Sequence, residues 1–405
     1  MRLTGLAAGA AAAALVAGCS AGAGAARPAL PAGSAAAGGS TAHGGHSTQA
    51  GTPPAAPLRA GQWFVRLAMA RPYRPSPPYG GTDDYRCFLV DPKLTKPAYL
   101  VGSQFLPQNA DLVHHAIFFR VPPGDVAEAR RLDAAVPGEG WTCFGGTGIG
   151  GAAAEARQLE QGADWVAAWA PGSSERTIAT NAGYLLEPGS QLVMQVHYNL
   201  LATGGKAAGT DQSGIRLRLM DRTAHLVALG TTLLPAPVEL PCAPGESGRL
   251  CDRDAAVFDV IRRFGAQAGA TVAGLDLLCD EGRPPTPGPV QRCDRTVHRA
   301  GTVYAVAGHM HLLGRSIKVE LNPGTPRARV LLDVPVYNFH DQGARALPRP
   351  VTVKPGDVYR VTCTHDATLR GRLPQLRSLP PRYVVWGDGT SDEMCLAILT
   401  VSPKS

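Results

Sequence analysis

The chain has 405 residues, with 39 basic against 32 acidic side chains and a formal net charge of +7. No basic cluster is interleaved with aromatics, so this mild excess argues against nucleic-acid binding and suits at most the surface of an anionic membrane. Chemistry therefore has to be read from the nine cysteines and eleven histidines.

The first residues, MRLTGLAAGAAAAALVAGCS, read as an export signal. One basic residue, Arg2, precedes a run of small apolar residues too short to persist as a membrane span. A cysteine directly after small residues resembles a bacterial lipobox. That resemblance implies cleavage after residue 18, a lipidated Cys19, and attachment to the outer face of the cytoplasmic membrane through lipid alone. Residues 19–57 are mostly Ala, Gly, Ser, Thr and Pro. Such a composition cannot bury enough surface to offset its ordering entropy, so a flexible tether is predicted, with His43 and His46 as linker residues.

The remaining ~345 residues are too many for one ordinary core and suit two domains. Short runs rich in β-branched and aromatic residues recur between Pro/Gly turns: HHAIFFRV, SQLVMQVHYNL, GIRLRLM, TVYAVAGHMHLL, SIKVEL, VTVKPGDVYRVTC and MCLAILTV. This pattern predicts an all-β chain of antiparallel sandwiches. Helical spacing is confined to DRDAAVFDVIRRFG, with Gly265 as its stop, and to a short stretch near VAEARRLDAA. The Gly-rich segment 202–214 marks a boundary, giving domains at 58–209 and 210–405.

With Cys19 set aside, Cys87, Cys143, Cys242, Cys251, Cys279, Cys293, Cys363 and Cys395 remain. An even number in an oxidising compartment suggests disulfides, although eight cysteines allow about 105 pairings. No CxxC spacing supports a zinc–thiolate site.

The stretch GHMHLLGR places His309 and His311 two residues apart. On a strand they share a face and can converge on one ion, with Met310 turned to the other side and Gly308 and Gly314 leaving room around the pair. The adjacent His114 and His115 should face apart, so both can reach one ion only at a bulge or strand end. His197, inside LVMQVHYNL, reads by itself as a core histidine, and Met394, inside GDGTSDEMC, as core packing. Taken together, however, each half offers a close pair and one distant candidate. A His/His/Met set is soft enough to suit Cu(I) and discriminate against zinc, whereas an all-histidine set suits both copper states. Asp392 and Glu393 read either as acceptors orienting a histidine N–H or, more readily, as solvated loop charges. His225, His298, His340 and His365 read as surface or structural residues.

VHHAIFF, QVHYN, GHMHLLGR, VKPGDVYRVTC and GTSDEMC occur in this order between about Arg59 and Val401. In these motifs the chain resembles the ascorbate-dependent type II copper monooxygenases, the family of dopamine β-monooxygenase and peptidylglycine α-hydroxylating monooxygenase. The resemblance implies two tandem jelly-roll-like β-sandwiches facing each other across a solvent-filled cleft. It implies two copper ions, one held by His114, His115 and His197, the other by His309, His311 and Met394. The second set would be the catalytic one, where O2 is used to hydroxylate a C–H bond of a small organic substrate. Ascorbate or a similar one-electron reductant would be the co-substrate. It further implies Cys87–Cys143 and Cys363–Cys395 bridges, and local pairing is expected for Cys242–Cys251 and Cys279–Cys293. The charged clamp of the peptide-hydroxylating branch is missing, because Ala307 and Ile398 occupy its positions. Without that clamp a C-terminal carboxylate loses bidentate recognition. Peptide amidation is therefore not expected, and no lyase domain is expected to follow. No protein partner is inferable. The alternative reading is a non-catalytic copper-binding lipoprotein for storage, delivery or sensing on the same scaffold.

Overall fold

The structure, a computed structural model, describes residues 54–403 apart from 152–153, 155–161, 172, 179–180, 281–282 and 284–285. The expected export signal, Cys19, His43, His46 and most of the expected tether lie outside the described residues. The last tether residues are docked: Arg218 donates to the carbonyls of Ala56 and Pro57, and the Ala56 amide donates to Glu175. No helix among the described residues is long and apolar enough to cross a membrane.

The strands form two antiparallel β-sandwiches. In the first, one sheet runs in the order Gln62–Ala68, Gly214–Asp221, Ala98–Leu106, Ala182–Leu186 and Val227–Ala228. The last two strands pair in parallel. The facing sheet runs Trp141–Thr142, Asp83–Val90, Gln191–Asn199, Val113–Val121 and Trp165–Trp169. Strand Gln191–Asn199 shows why the sequence folds this way. Its even positions Leu192, Met194, Val196 and Tyr198 enter the core between the sheets. Val193 points outward into a second cluster beneath the helix Val126–Ala134. Both faces are covered, so the strand reads as a continuous apolar run broken only by Gln195 and His197.

The second sandwich pairs Gly230–Ala236, Cys395–Pro403, Gly301–His309 and Arg345–Val353 in one sheet. The other sheet runs Val290–Thr296, Val358–His365, Gly314–Leu321 and Arg329–Val334. Val303, Val306, Ile317, Val319, Val361 and Leu399 fill the space between them.

The boundary expected at residues 209/210 is corrected. Strand Gly214–Asp221 returns to pair with Gln62–Ala68 and Ala98–Leu106, and the chain changes sandwich between Ala228 and Gly230. The Gly-rich segment is a loop inside the first sandwich, since composition marks a turn but not which sheet the next strand joins.

The helix Arg253–Phe264 forms as its signals predict. The Asp252 carboxylate accepts from the Ala255 amide, and Gly265 ends the helix at φ +87°. A second helix, Ala266–Asp280, follows at once. Val260, Phe264, Val272 and Leu275 pack this pair onto the second core. The disulfides Cys87–Cys143, Cys242–Cys251, Cys279–Cys293 and Cys363–Cys395 are formed, as expected.

Candidate metal centre

His114, His115 and His197 come together on the outer face of the first sandwich. His115 and His197 lie opposite each other on adjacent strands, and the register slips between Val113 and His115. His114 is the extra residue of that bulge, the device required for neighbouring side chains to reach one point. The three Nδ1 atoms stand 3.1, 3.2 and 3.4 Å apart. The centre of such a triangle is about 1.9 Å from each nitrogen, close to a metal–imidazole bond. Burial, reinforced by the neighbouring imidazoles, pushes His114 and His115 well below the usual histidine range. His197 is lowered too, again chiefly by burial. Three neutral rings with converging lone pairs cannot satisfy one another by hydrogen bonding, but they fit a borderline-soft cation.

The set is held from outside. His197 Nε2 lies 2.9 Å from Asp83 Oδ1. The Tyr85 ring, its neighbour across the strand, stacks on it at 4.0 Å and 12°. Burial alone would raise the Asp83 carboxyl, but the bonds from His197 and Thr390 outweigh it and hold it well below the carboxylate range. A carboxylate behind a ring nitrogen fixes the tautomer and leaves the opposite nitrogen free for a metal.

His309 is the last residue of its strand, and His311 lies just beyond, in the turn. Their ring centroids are 5.2 Å apart. Met310 between them is fully buried in the second core, with Tyr337 Oη donating to its carbonyl and accepting from its amide. His311 Nδ1 donates to the Asp392 carbonyl at 3.2 Å, which leaves Nε2 as the nitrogen with a lone pair to offer. His309 Nδ1 bonds to Gln342. Burial pushes His309 down to about 3. Met394 lines the same cavity as His309, and its amide donates to Glu393 Oε2 at 3.3 Å. That oxygen also accepts the His311 amide at 2.9 Å, and the other carboxylate oxygen takes the Leu313 amide. One buried carboxylate thus ties the His-x-His turn to the methionine.

Two expectations need correction. Asp392 and Glu393 are not solvated loop charges; both are buried. Asp392 is chelated by Arg263 at 2.7 and 2.6 Å and bonded by Arg382 at 3.1 Å, so a guanidinium pair replaces water. Gly308 and Gly314 do not open space around the histidines. A Cβ on Gly308 would meet Ile317 at 2.6 Å, and one on Gly314 would meet Met310 at 2.8 Å, so both glycines serve core packing. Of the remaining histidines, read as surface or structural, His365 is buried beside Glu393 and Met394, and His225, His298 and His340 are exposed.

The two clusters lie close together. The rings of His115 and His309 are 6.0 Å apart, and a cavity of about 1160 Å³ is lined by His114, His115, His309 and Met394 among others. The connection 335–344 reaches both sites, with Phe339 stacked on His114 at 4.8 Å and Gln342 bonded to His309. Nothing in the local sequence around Phe339 or Gln342 signalled this role.

With this geometry in place, comparison with known proteins is informative for one part of the chain. Residues 290–402 match the family model of the copper type II ascorbate-dependent monooxygenase C-terminal domain. That span contains His309, His311, Met394 and the Cys363–Cys395 bridge. The three histidines of the first cluster lie outside it. The chain is 32% identical over 104 residues to a human DBH-like monooxygenase protein 2, a match covering 25% of this chain and 19% of that protein. The mouse DBH-like monooxygenase protein 2 is 32% identical over 97 residues, covering 24% and 14%. The chain thus matches less than a fifth of the length of either relative. Among solved structures, an allantoicase aligns with 85% of this chain and 90% of its own at 9% identity and a TM-score of 0.18, a likeness too remote to bear on fold or function.

Proposed function

We propose that this protein is an exported, lipid-anchored copper monooxygenase on the outer face of a bacterial cytoplasmic membrane, hydroxylating a C–H bond of a small organic molecule. The observation that carries the reading is the convergence of three imidazole Nδ1 atoms within 3.4 Å of one another, 6.0 Å in ring distance from a second cluster that lies in the matched monooxygenase segment. His114, His115 and His197 would hold one copper, and His309, His311 and Met394 the other. Copper, when bound, supplies the one-electron chemistry with O2 that no side chain provides. The balance is one C–H bond and one O2 converted to C–OH and water, with two electrons from an ascorbate-type reductant and two protons.

The chain's own residues do the positioning. The Asp83 carboxylate and the Tyr85 ring orient His197, the Asp392 carbonyl orients His311, and Glu393 sets the spacing between His311 and Met394. Two unlike centres side by side favour catalysis over storage, for which a second, dissimilar site is superfluous.

The test is copper stoichiometry together with oxygen uptake. The full chain should bind two coppers and consume O2 with ascorbate faster when a substrate is present, with one labelled oxygen atom in the product. His309→Ala should bind about one copper and form no product. Two tightly held coppers in that variant would overturn the ligand assignment. Two coppers in the parent chain without substrate-dependent O2 uptake would favour the storage or delivery reading.

A further inference from the structure

We propose that the cavity beside His309 and Met394 takes an uncharged, largely hydrocarbon molecule carrying no ionised head group. As a statement about substrate this rests on the oxygenase reading above; as a statement about binding it stands on the cavity wall.

The wall is a regular sheet face. Pro235, Leu396 and His309 lie opposite one another across three neighbouring strands, and Leu233, Ile398 and Ala307 form the next row. Thr231 and Thr400 form the row after that. Every one of these residues lines the cavity. Rows are two residues apart, about 6.5–7 Å, and all side chains of one parity share a face. A molecule presented to the metal at His309 therefore lies over Leu396, Pro235, Ile398, Leu233 and Ala307 before it meets its first polar atom. The threonine row offers two hydroxyls, of which the Thr231 one is already committed, donating to the Trp165 carbonyl at 2.8 Å.

The other walls agree. The helix Ala266–Asp280 presents Ala268, Thr271, Gly274 and Leu275 to the cavity, and the Thr271 hydroxyl is spent on the Gln267 carbonyl at 3.0 Å. Trp165 and Trp386 add flat apolar surface. Each charged residue that also reaches the cavity is accounted for. Glu175 is held by Arg218 at 2.8 Å, Arg295 and Asp388 each have an interaction of their own, and Arg176 and Asp341 are solvent-exposed. A carboxylate or ammonium drawn onto this floor would leave water without finding a counter-charge, whereas hydrocarbon would lose nothing. At about 1160 Å³ the cavity also exceeds the usual range for a small-molecule site, so a single ring would rattle in it.

The test is a binding panel of three probes sharing one ring system: 2-propylnaphthalene, 2-naphthylacetate and 2-(2-naphthyl)ethylammonium. Affinities are measured by calorimetry on the full chain, with and without copper. The neutral probe should bind at least tenfold more tightly than either ion. Gly274→Phe should cost the neutral probe at least tenfold while leaving the fold intact, because a Cβ there meets nothing within 4 Å and the new side chain enters the cavity. Equal or tighter binding of either ion overturns the proposal, as does an unchanged neutral affinity in Gly274→Phe. Binding without copper separates this from the oxygenase reading. If the neutral probe binds but is never oxygenated with copper, ascorbate and O2, the ligand class stands and the activity falls. If only the anion is oxygenated, the activity stands and the ligand class falls.

Discussion

Asp83 contacts no expected metal ligand atom directly, yet the first cluster depends on it. Its Oδ1 faces His197 Nε2 at 2.9 Å and accepts from the Thr390 amide and hydroxyl at 3.1 and 2.8 Å. Asp83→Asn keeps the shape but turns an amide nitrogen toward a ring that needs an acceptor, or toward the Thr390 donors. Loss of a carboxylate behind a ligating histidine costs roughly 10–100-fold in metal affinity, and a mismatched buried polar group costs about 1–3 kcal/mol. Competition of the variant against a Cu(I) chelator should show that loss at one site only, and unchanged affinity would remove Asp83 from the centre. The histidines were legible because residue type and spacing are local properties. Asp83 was not, because it meets His197 across 114 residues and Thr390 across 307, through strand register and sandwich packing that no short pattern encodes. The same reason explains Asp392 and Glu393, whose sequence neighbourhood is that of a loop but whose partners, Arg263 and the His311 turn, come from distant segments.

Among elements, the strands and the helix Arg253–Phe264 were readable from alternation, from helical spacing of apolar residues and from a terminal glycine. The helix Ala266–Asp280 was not, because AQAGATVAGLDLLCD carries little polarity on any face and offers no helical period to detect. Its stability comes from packing against the second core, and it holds a pH-sensitive contact. Arg253 bridges Glu239 at 2.5 Å and Asp276 at 2.7 Å, so two carboxylates share one guanidinium. Burial and the Glu239 charge raise the Asp276 carboxyl from 3.8 to about 6, against the pull of Arg253. A carboxyl raised on folding retains a proton that the unfolded chain has already released. Its contribution is therefore greatest below the unfolded value and falls as pH rises through the folded one. Between about pH 4 and 6 this should remove about 1–3 kcal/mol of stability. Asp276→Asn should flatten that slope. Chemical denaturation of both proteins at several pH values checks it, and parallel profiles would show that Asp276 titrates normally.

At the scale of the molecule, residues Gln49–Ser405 form one compact unit although they build two sandwiches. The loop that carries Met394 is one reason. Within it, the Asp388 carbonyl accepts from Tyr85 Oη at 2.7 Å, and Thr390 Oγ1 accepts from Asn199 Nδ2 at 3.1 Å while donating to Asp83. Phe144 of the first sandwich meets Phe264 at 4.9 Å, and the Ala163 amide donates to the Thr231 carbonyl. The segment that leads to Met394 is thus fastened to Tyr85, Asn199 and Asp83 of the other sandwich, and we expect both clusters to depend on the docked arrangement. Calorimetry of the metal-free chain should then show a single unfolding transition, not one for each sandwich. Thr390→Val removes the hydroxyl at nearly constant volume and strands the Asn199 amide and one Asp83 lone pair, a loss of about 1–3 kcal/mol. The hydroxyl belongs to neither ligand set and reaches the three-histidine cluster only across the sandwich boundary, through Asp83 and Asn199, so a role confined to its own sandwich would lower the melting temperature and nothing else. A docking role predicts in addition that copper binds more weakly at the three-histidine cluster, although the substitution lies in the opposite sandwich. Two well-separated transitions in the parent chain, or full copper affinity in Thr390→Val, would show that each sandwich assembles its cluster alone.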